Sequence, residues 1–350
     1  MPVVEVDRVD DVPRSPSSTV IAQDAAEAAQ CLWDHSWAMV RLDDAVVSHL
    51  QQAKEIAATT LFVPDQVSAN KQQYQVMDQG HLVGFHEPSP AKYLYRALFH
   101  RKSIESPSTI LQDHPRQPWH SNTFQQAATE GGSSLHCMLL QILERLVELG
   151  RDSTSVVNPS SSLASRKRKS TTTQHNKDVA SSLEEKDPQL HWDACPMDFF
   201  YYHNRQQQDQ PRQEQSPKEC SLVVPNCTPH VDRGVLIVVV LTDVPGLVVR
   251  SKDENIHCPE MDHATLLQKD EYRLACVLAG GQLEQYMAAR LEQERTVHKS
   301  GNCISLPPCV HWVKNDLDKP RLSISYELRL QQSSQTDTTP DRKRRVMKTK

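Results

Sequence analysis

The chain has 350 residues, enough for one large domain with embellishments or for two ordinary ones. Its hydrophobic fraction of 38% and mean hydropathy of -0.58 are low, so part of it is expected to lie outside any packed core. A net charge of -5 with a pI near 6.3 leaves no excess of positive charge to displace phosphate counterions, which argues against a nucleic-acid partner.

No stretch approaches the roughly eighteen consecutive apolar residues of a membrane span; the longest, Val235 to Leu241, suits a buried strand. The N-terminus MPVVEVDRVDDVPRS is acidic and lacks a charged-then-apolar leader. The nine cysteines are odd in number and form no CxxC pair, which fits reduced thiols. A soluble cytoplasmic protein is the expectation, and the basic runs 166–169 and 342–345 also fit nuclear import.

In chain order, Asp24 is placed to cap a helix through AAEAAQCLW, followed by a short strand at Ala38–Leu42. Asp43 or Asp44 opens a second helix to about Phe62, with Val46, Val47, Leu50, Ala53, Ile56, Ala57 and Leu61 at helical spacing, and Pro64 stops it. Residues 65–118 read as loops and short strands with one brief helix. Leu135, Leu139, Ile142, Leu143 and Leu146 mark a third long helix, with Gly150 as its expected end.

From 151 to 188 the composition turns polar, and SSSLASRKRKSTTTQHNKD cannot repay the entropy of ordering; a disordered insertion is expected. A polar loop spans 204–219, and a basic tail occupies 331–350. Between them the pattern is β: Asp198–Tyr202, Ser221–Val224, Val235–Leu241, Leu247–Arg250, Tyr272–Leu278, Cys309–Val313 and Leu322–Leu330, with a helical excursion at Gln282–Gln293. Short strands without βα alternation predict a mainly β fold with flanking helices around a double-stranded β-helix, a jelly-roll or cupin-like core. The expected organisation is a helical and mixed leader region over 1–150, the insertion over 151–188, the catalytic core over 189–330 and the tail.

Two pieces of this pattern carry chemistry. His230 and Asp232 stand two residues apart at a strand, so they share a face and can chelate one metal. His311, in the apolar strand VHWV, supplies a third ligand. Two imidazoles and a carboxylate on one face of an octahedral ion leave positions open for a bidentate co-substrate and O2, the facial arrangement of non-haem Fe(II) sites. Arg321 and Ser323 share a strand face by the same period. A buried arginine fork is costly without an anion, and the far carboxylate of a dicarboxylate such as 2-oxoglutarate fits it.

These residues resemble the 2-oxoglutarate/Fe(II)-dependent dioxygenases of the isopenicillin N synthase-like group. The resemblance rests on His230-Val-Asp232, Gly234, the run LIVVVLTDVPGLVV, and His311 standing ten residues before Arg321-x-Ser323. It covers roughly 20–330 without the insertions. Tyr201-Tyr202 matches a tyrosine pair of that family, whose second member would contact the co-substrate. Val231 stands where the family usually has Thr or Ser, Phe200 where an asparagine often precedes the pair, and the Asp232–His311 spacing is longer than usual. The resemblance implies Fe(II) held by His230, Asp232 and His311, with 2-oxoglutarate held by Arg321, Ser323 and Tyr202. It also implies oxidation, most simply hydroxylation, of a C–H bond in a small-molecule substrate, with succinate and CO2 as co-products.

Competing readings are an iron oxidase that does not use 2-oxoglutarate and a non-catalytic ligand-binding or scaffold protein on the same barrel. A second HxD, His191-Trp192-Asp193, leads to no glycine or buried strand and is read as a rim element. His298 lies in a polar loop without a following Arg-x-Ser. Phe85, His86, Tyr93 and Arg96 are candidates to line a substrate mouth.

Overall fold

The computed structural model describes residues 21–78, 81–89, 92–101, 111–155, 194–203, 227–269, 272–294, 306–314 and 319–330. The strands are β1 (Ile21–Ala22), β2 (Trp37–Arg41), β3 (Gln75–Asp78), β4 (His81–Ser89), β5 (Lys92–Arg101), β6 (Leu111–Asp113), β7 (Cys195–Tyr202), β8 (Cys227–His230), β9 (Leu236–Val240), β10 (Leu247–Arg250), β11 (Ile256–His257), β12 (Leu274–Ala279), β13 (Val310–Val313) and β14 (Arg321–Leu328). The α-helices are α1 (Ala25–His35), α2 (Asp44–Ile56), α3 (Val67–Tyr74), α4 (Asn122–Ser155), α5 (Pro259–Asp262), α6 (Ala264–Lys269) and α7 (Leu283–Glu294).

Among the described residues, a large sheet runs β1-β2-β12-β9-β14-β7-β5-β4-β3, with β6 paired to β5, and a small sheet runs β11-β10-β13-β8. This is the expected jelly-roll arrangement: two mainly antiparallel sheets face each other, and helices flank the large one. Register assigns the two faces. On β14, Leu322, Ile324, Tyr326 and Leu328 join the core that α1, α2 and α4 cover, and the Tyr326 hydroxyl lies 2.8 Å from His136 Nδ1 on α4. Arg321, Ser323, Ser325 and Glu327 therefore face inward, beside Phe200, Tyr202 and Asp198 of β7 and Lys92, Leu94 and Arg96 of β5.

The interior is divided. In one half Trp37, Met39, Ile237, Val239, Cys276 and Leu278 of the large sheet pack against Leu247 and Val249 of β10, an apolar contact that holds the sheets together. The other half, under β8 and β13, is lined by charged and aromatic side chains of β14, β7 and β5. The continuous run LIVVV makes β9 because a β-branched strand buried on both faces needs no alternation.

The N-terminal expectations hold in outline. Asp24 caps α1, accepting from the Ala26 and Glu27 amides at 2.9 Å. α2 ends in a π-helical turn, Ala57–Leu61. Pro64 then opens a 3-10 turn that leads into α3, because proline is accommodated at the first position of a helical turn.

Three expectations need correction. Residues 65–118 contain strands of nine and ten residues, β4 and β5, not only short ones. Their period-two signal is masked because the face that alternates as polar, Lys92 and Arg96, points into the barrel and not to solvent. Gly150 does not end the third helix: α4 runs to Ser155, since the packing of its leucine face outweighs the cost of about 1 kcal/mol that glycine carries in a helix. The polar stretch expected to begin at 151 therefore starts with helix. The rest of that insertion, most of the 204–219 loop, the strand expected at Ser221–Val224, His191-Trp192-Asp193, His298 and the tail from 331 lie outside the described residues.

Candidate metal centre

The small sheet brings the first two ligands together. β8 and β13 are antiparallel neighbours in which His230 and His311 are direct partners, and their ring centroids are 4.3 Å apart. β8 stops at His230, so Asp232 sits in the turn beyond it and not on the strand itself. From there its carboxylate reaches both rings: Oδ1 is 3.4 Å from His230 Nε2, and Oδ2 is 3.3 Å from His311 Nε2. One ligand atom from each of the three residues lies within 4.8 Å of the others, which fits a single divalent ion.

Each imidazole is oriented from behind. His230 Nδ1 lies 2.8 Å from the Thr228 carbonyl, and His311 Nδ1 lies 3.4 Å from the Cys309 carbonyl. A carbonyl only accepts, so Nδ1 donates in each ring, and Nε2 is the nitrogen turned to Asp232, free to ligate a cation that displaces its proton. Burial alone would raise the Asp232 carboxyl, but hydrogen bonds from both histidines hold it well below the usual carboxylate range. The same pairing, with the Asp232 hydrogen bond as its main cause, raises His230 to about 10. A cation at this point would displace the proton shared by His230 and Asp232 and keep the three side chains as its donors.

The turn carrying Asp232 is clamped. Gly281 donates to the Asp232 carbonyl at 2.8 Å, Gly280 to Val235 at 3.0 Å and Gln282 to Gly234 at 3.0 Å. A Cβ on Gly280 would overlap the Gly234 carbonyl, so the two turns approach as closely as backbones can.

The structure places Arg321, Ser323 and Tyr202 together on the inner face, each nearly or fully inaccessible. Tyr202 is the register partner of Arg321, and the guanidinium carbon stands 5.8 Å from its ring centroid. Tyr201, its neighbour in the pair, faces outward and stacks on Phe62 at 5.3 Å. Arg321 is not waiting in an apolar cavity for an anion, however. Its Nη2 donates to Glu260 Oε1 at 2.6 Å and its Nε to the Val244 carbonyl at 3.2 Å. Glu260 on α5 also accepts from the Thr242, Gly246 and Leu247 amides at 3.2, 2.6 and 2.9 Å, tying the β9–β10 turn to the arginine. One donor remains open: Arg321 Nη1 is buried with no hydrogen-bond partner among the described residues.

Of the four candidates for a substrate mouth, His86 and Arg96 face the interior, whereas Phe85 and Tyr93 belong to the core under the helices. Arg96 is paired in fork geometry with Asp198, at 2.7 and 2.6 Å. Glu260, Asp198 and Lys92 are not marked by the sequence reading. For Asp198 and Lys92 a signal exists: each shares an inner face with a neighbour four residues away, Tyr202 or Arg96. Glu260, on a four-residue helix, gives no such signal.

Solved structures share this architecture. A Neurospora crassa protein, solved in complex with alpha-KG and 5-formyluracil, is 12% identical with a TM-score of 0.52, covering 87% of this chain and 78% of that one. The Arabidopsis thaliana AtDAO1, a dioxygenase for auxin oxidation in a binary complex with 2-oxoglutarate, is 13% identical with a TM-score of 0.52, covering 88% of each chain. No family model matches the sequence. No curated protein matches it either. The fold is the one that these 2-oxoglutarate-bound proteins share.

Proposed function

We propose that the protein is a 2-oxoglutarate- and Fe(II)-dependent oxygenase that oxidises a C–H bond of a small molecule. The observation that carries the reading is the convergence of His230, Asp232 and His311 on one point inside a fold whose solved examples include 2-oxoglutarate complexes. The donor set, two neutral imidazole nitrogens and one carboxylate, suits Fe(II). When bound there, Fe(II) with 2-oxoglutarate supplies the activation of O2, with succinate and CO2 as co-products.

The chain's own residues do the rest. Asp232 brings one negative charge to the ion, and the Thr228 and Cys309 carbonyls hold the imidazoles in the ligating tautomer. Arg321 Nη1 offers a buried N–H to the co-substrate's far carboxylate, with Tyr202 beneath the guanidinium and Ser323 beside it on the same strand. His86, Phe200 and Leu94 give the remaining inner surface a mixed character.

A second reading has one observation in its favour. Glu260 already neutralises Arg321, which fits an iron oxidase that needs no 2-oxoglutarate. Calorimetry separates the two. Mn(II), as a redox-silent stand-in, should bind at one site per chain, and 2-oxoglutarate should then bind the Mn(II)-loaded protein. His311→Ala should lose both events. Mn(II) binding with no uptake of 2-oxoglutarate would favour the oxidase, and absence of Mn(II) binding would refute both.

A further inference from the structure

We propose that Lys92 supplies the net positive charge that holds the far carboxylate of the co-substrate, with Arg321 contributing a directional hydrogen bond but no net charge. The inference rests on the 2-oxoglutarate reading above and names a residue that no motif marks.

In the charged half of the barrel the arginines are paired. Arg321 is matched by Glu260, Arg96 by Asp198 and Arg329 by Glu327. Each of these pairs is close to neutral as seen from the site. Lys92 is different. Among the described residues no carboxylate lies within ion-pair distance of it, and its ammonium rests instead on two aromatic faces, 4.1 Å from the Phe200 centroid and 5.2 Å from that of Tyr202. The acidic groups whose fields reach it are Cys227, Asp198 and Asp232.

Position agrees with charge. Lys92, Tyr202 and Arg321 form one row across β5, β7 and β14, because Tyr202 is the register partner of both. The two cations thus stand on either side of a single phenol ring, with Cα atoms about 10 Å apart from the usual strand spacing. A carboxylate above that ring is within reach of both long side chains. Such a group meets the open Nη1 of Arg321 from one side and the Lys92 ammonium from the other.

Charge balance then decides which cation matters. A divalent ion on Asp232, together with Lys92, gives the site a surplus of two positive charges, which is what a dicarboxylate cancels. Without Lys92 the loaded centre keeps an uncompensated negative charge next to the buried Tyr202 and Arg321, which is costly. Burial lowers the ammonium's own pKa, and a carboxylate partner would reverse that cost.

The test compares 2-oxoglutarate with pyruvate, which has the same keto-acid end and no far carboxylate, by calorimetry on Mn(II)-loaded full-length protein. Wild type, Lys92→Met and Lys92→Arg are measured in parallel, with Mn(II) affinity as the check that each variant is folded. Lys92→Met keeps the stem that packs on Phe200 and Tyr202 and removes only the charge. The expected result is a loss of 2-oxoglutarate affinity on the order of tenfold to a hundredfold, as for a charge-assisted hydrogen bond, with pyruvate affinity unchanged and partial recovery in Lys92→Arg. If Lys92→Met is misfolded, Lys92→Gln is held to the same comparison. Equal 2-oxoglutarate affinity in the wild type and the charge-removed variant overturns the inference and leaves the proposed function standing. An equal loss for both ligands also overturns it, since the charge would then act on the keto-acid end. If the wild type binds Mn(II) but not 2-oxoglutarate, the proposed function falls and takes the inference with it.

Discussion

Burial and neighbouring charges set the protonation of an imidazole inside the barrel, and His86 shows the effect away from the candidate metal centre. It lies on the inner face of β4 with only 4% of its surface exposed, and its Nε2 has no hydrogen-bond partner among the described residues. Burial, reinforced by the Arg96 charge, lowers its pKa from 6.5 to about 4. The unfolded chain therefore takes up this proton first. The contribution of His86 to stability is complete above pH 6.5 and is lost as pH falls toward 4, by about 1.4 kcal/mol for each unit in that window. Denaturant midpoints measured at pH 7.5, 6 and 5 should fall less steeply in His86→Asn than in the wild type. Equal slopes would show that the imidazole is not held neutral.

Elements place the ligands, and the one that matters most is a turn. Asp232 does not gain its position from strand periodicity; it is held by backbone bonds from Gly280–Gln282, the turn after β12. Gly280→Ala should lower Mn(II) affinity at least tenfold, because the new Cβ cannot coexist with the Gly234 carbonyl and the Asp232 turn must shift. Gly281→Ala, whose Cβ would stand at an ordinary 3.4 Å from the Asp232 carbonyl oxygen, should bind Mn(II) as the wild type does. Similar losses in both variants would contradict the clamp. The period-two argument still brings His230 and Asp232 together correctly, for a reason that the structure replaces: the chain bends after His230 and returns the carboxylate to the same point. The three converging residues are legible in the sequence because a metal ion would restrict the residue types that can serve it. The Glu260 partner of Arg321 is not, since its place depends on how the β9–β10 turn folds back over the barrel end. The β4–β5 hairpin reads as short strands because an inward polar face looks like a solvent face in a linear pattern.

At the scale of the whole molecule, the sandwich separates two tasks. Its apolar half, from Trp37 to Leu278, joins the sheets, and the helices cover the other face of the large sheet with a second core. The remaining half is free to carry charge because cohesion does not depend on it. There, Arg96 with Asp198, Arg321 with Glu260 and Lys92 over two rings face His230, Asp232 and His311. This division explains how a chain of modest hydrophobic content keeps a buried ionic site: among the described residues Arg321, Arg96 and Arg329 each have a carboxylate partner, and the charges of Asp232 and Lys92 are left to the proposed metal and co-substrate. The most direct test of that assignment is aerobic formation of succinate from 2-oxoglutarate by the purified full-length protein, with and without Fe(II). Slow, Fe(II)-dependent succinate formation is expected even without a primary substrate, abolished in His311→Ala and in Asp232→Ala. Succinate formation that persists in those variants, or its absence from the Fe(II)-loaded wild type, would contradict the assignment.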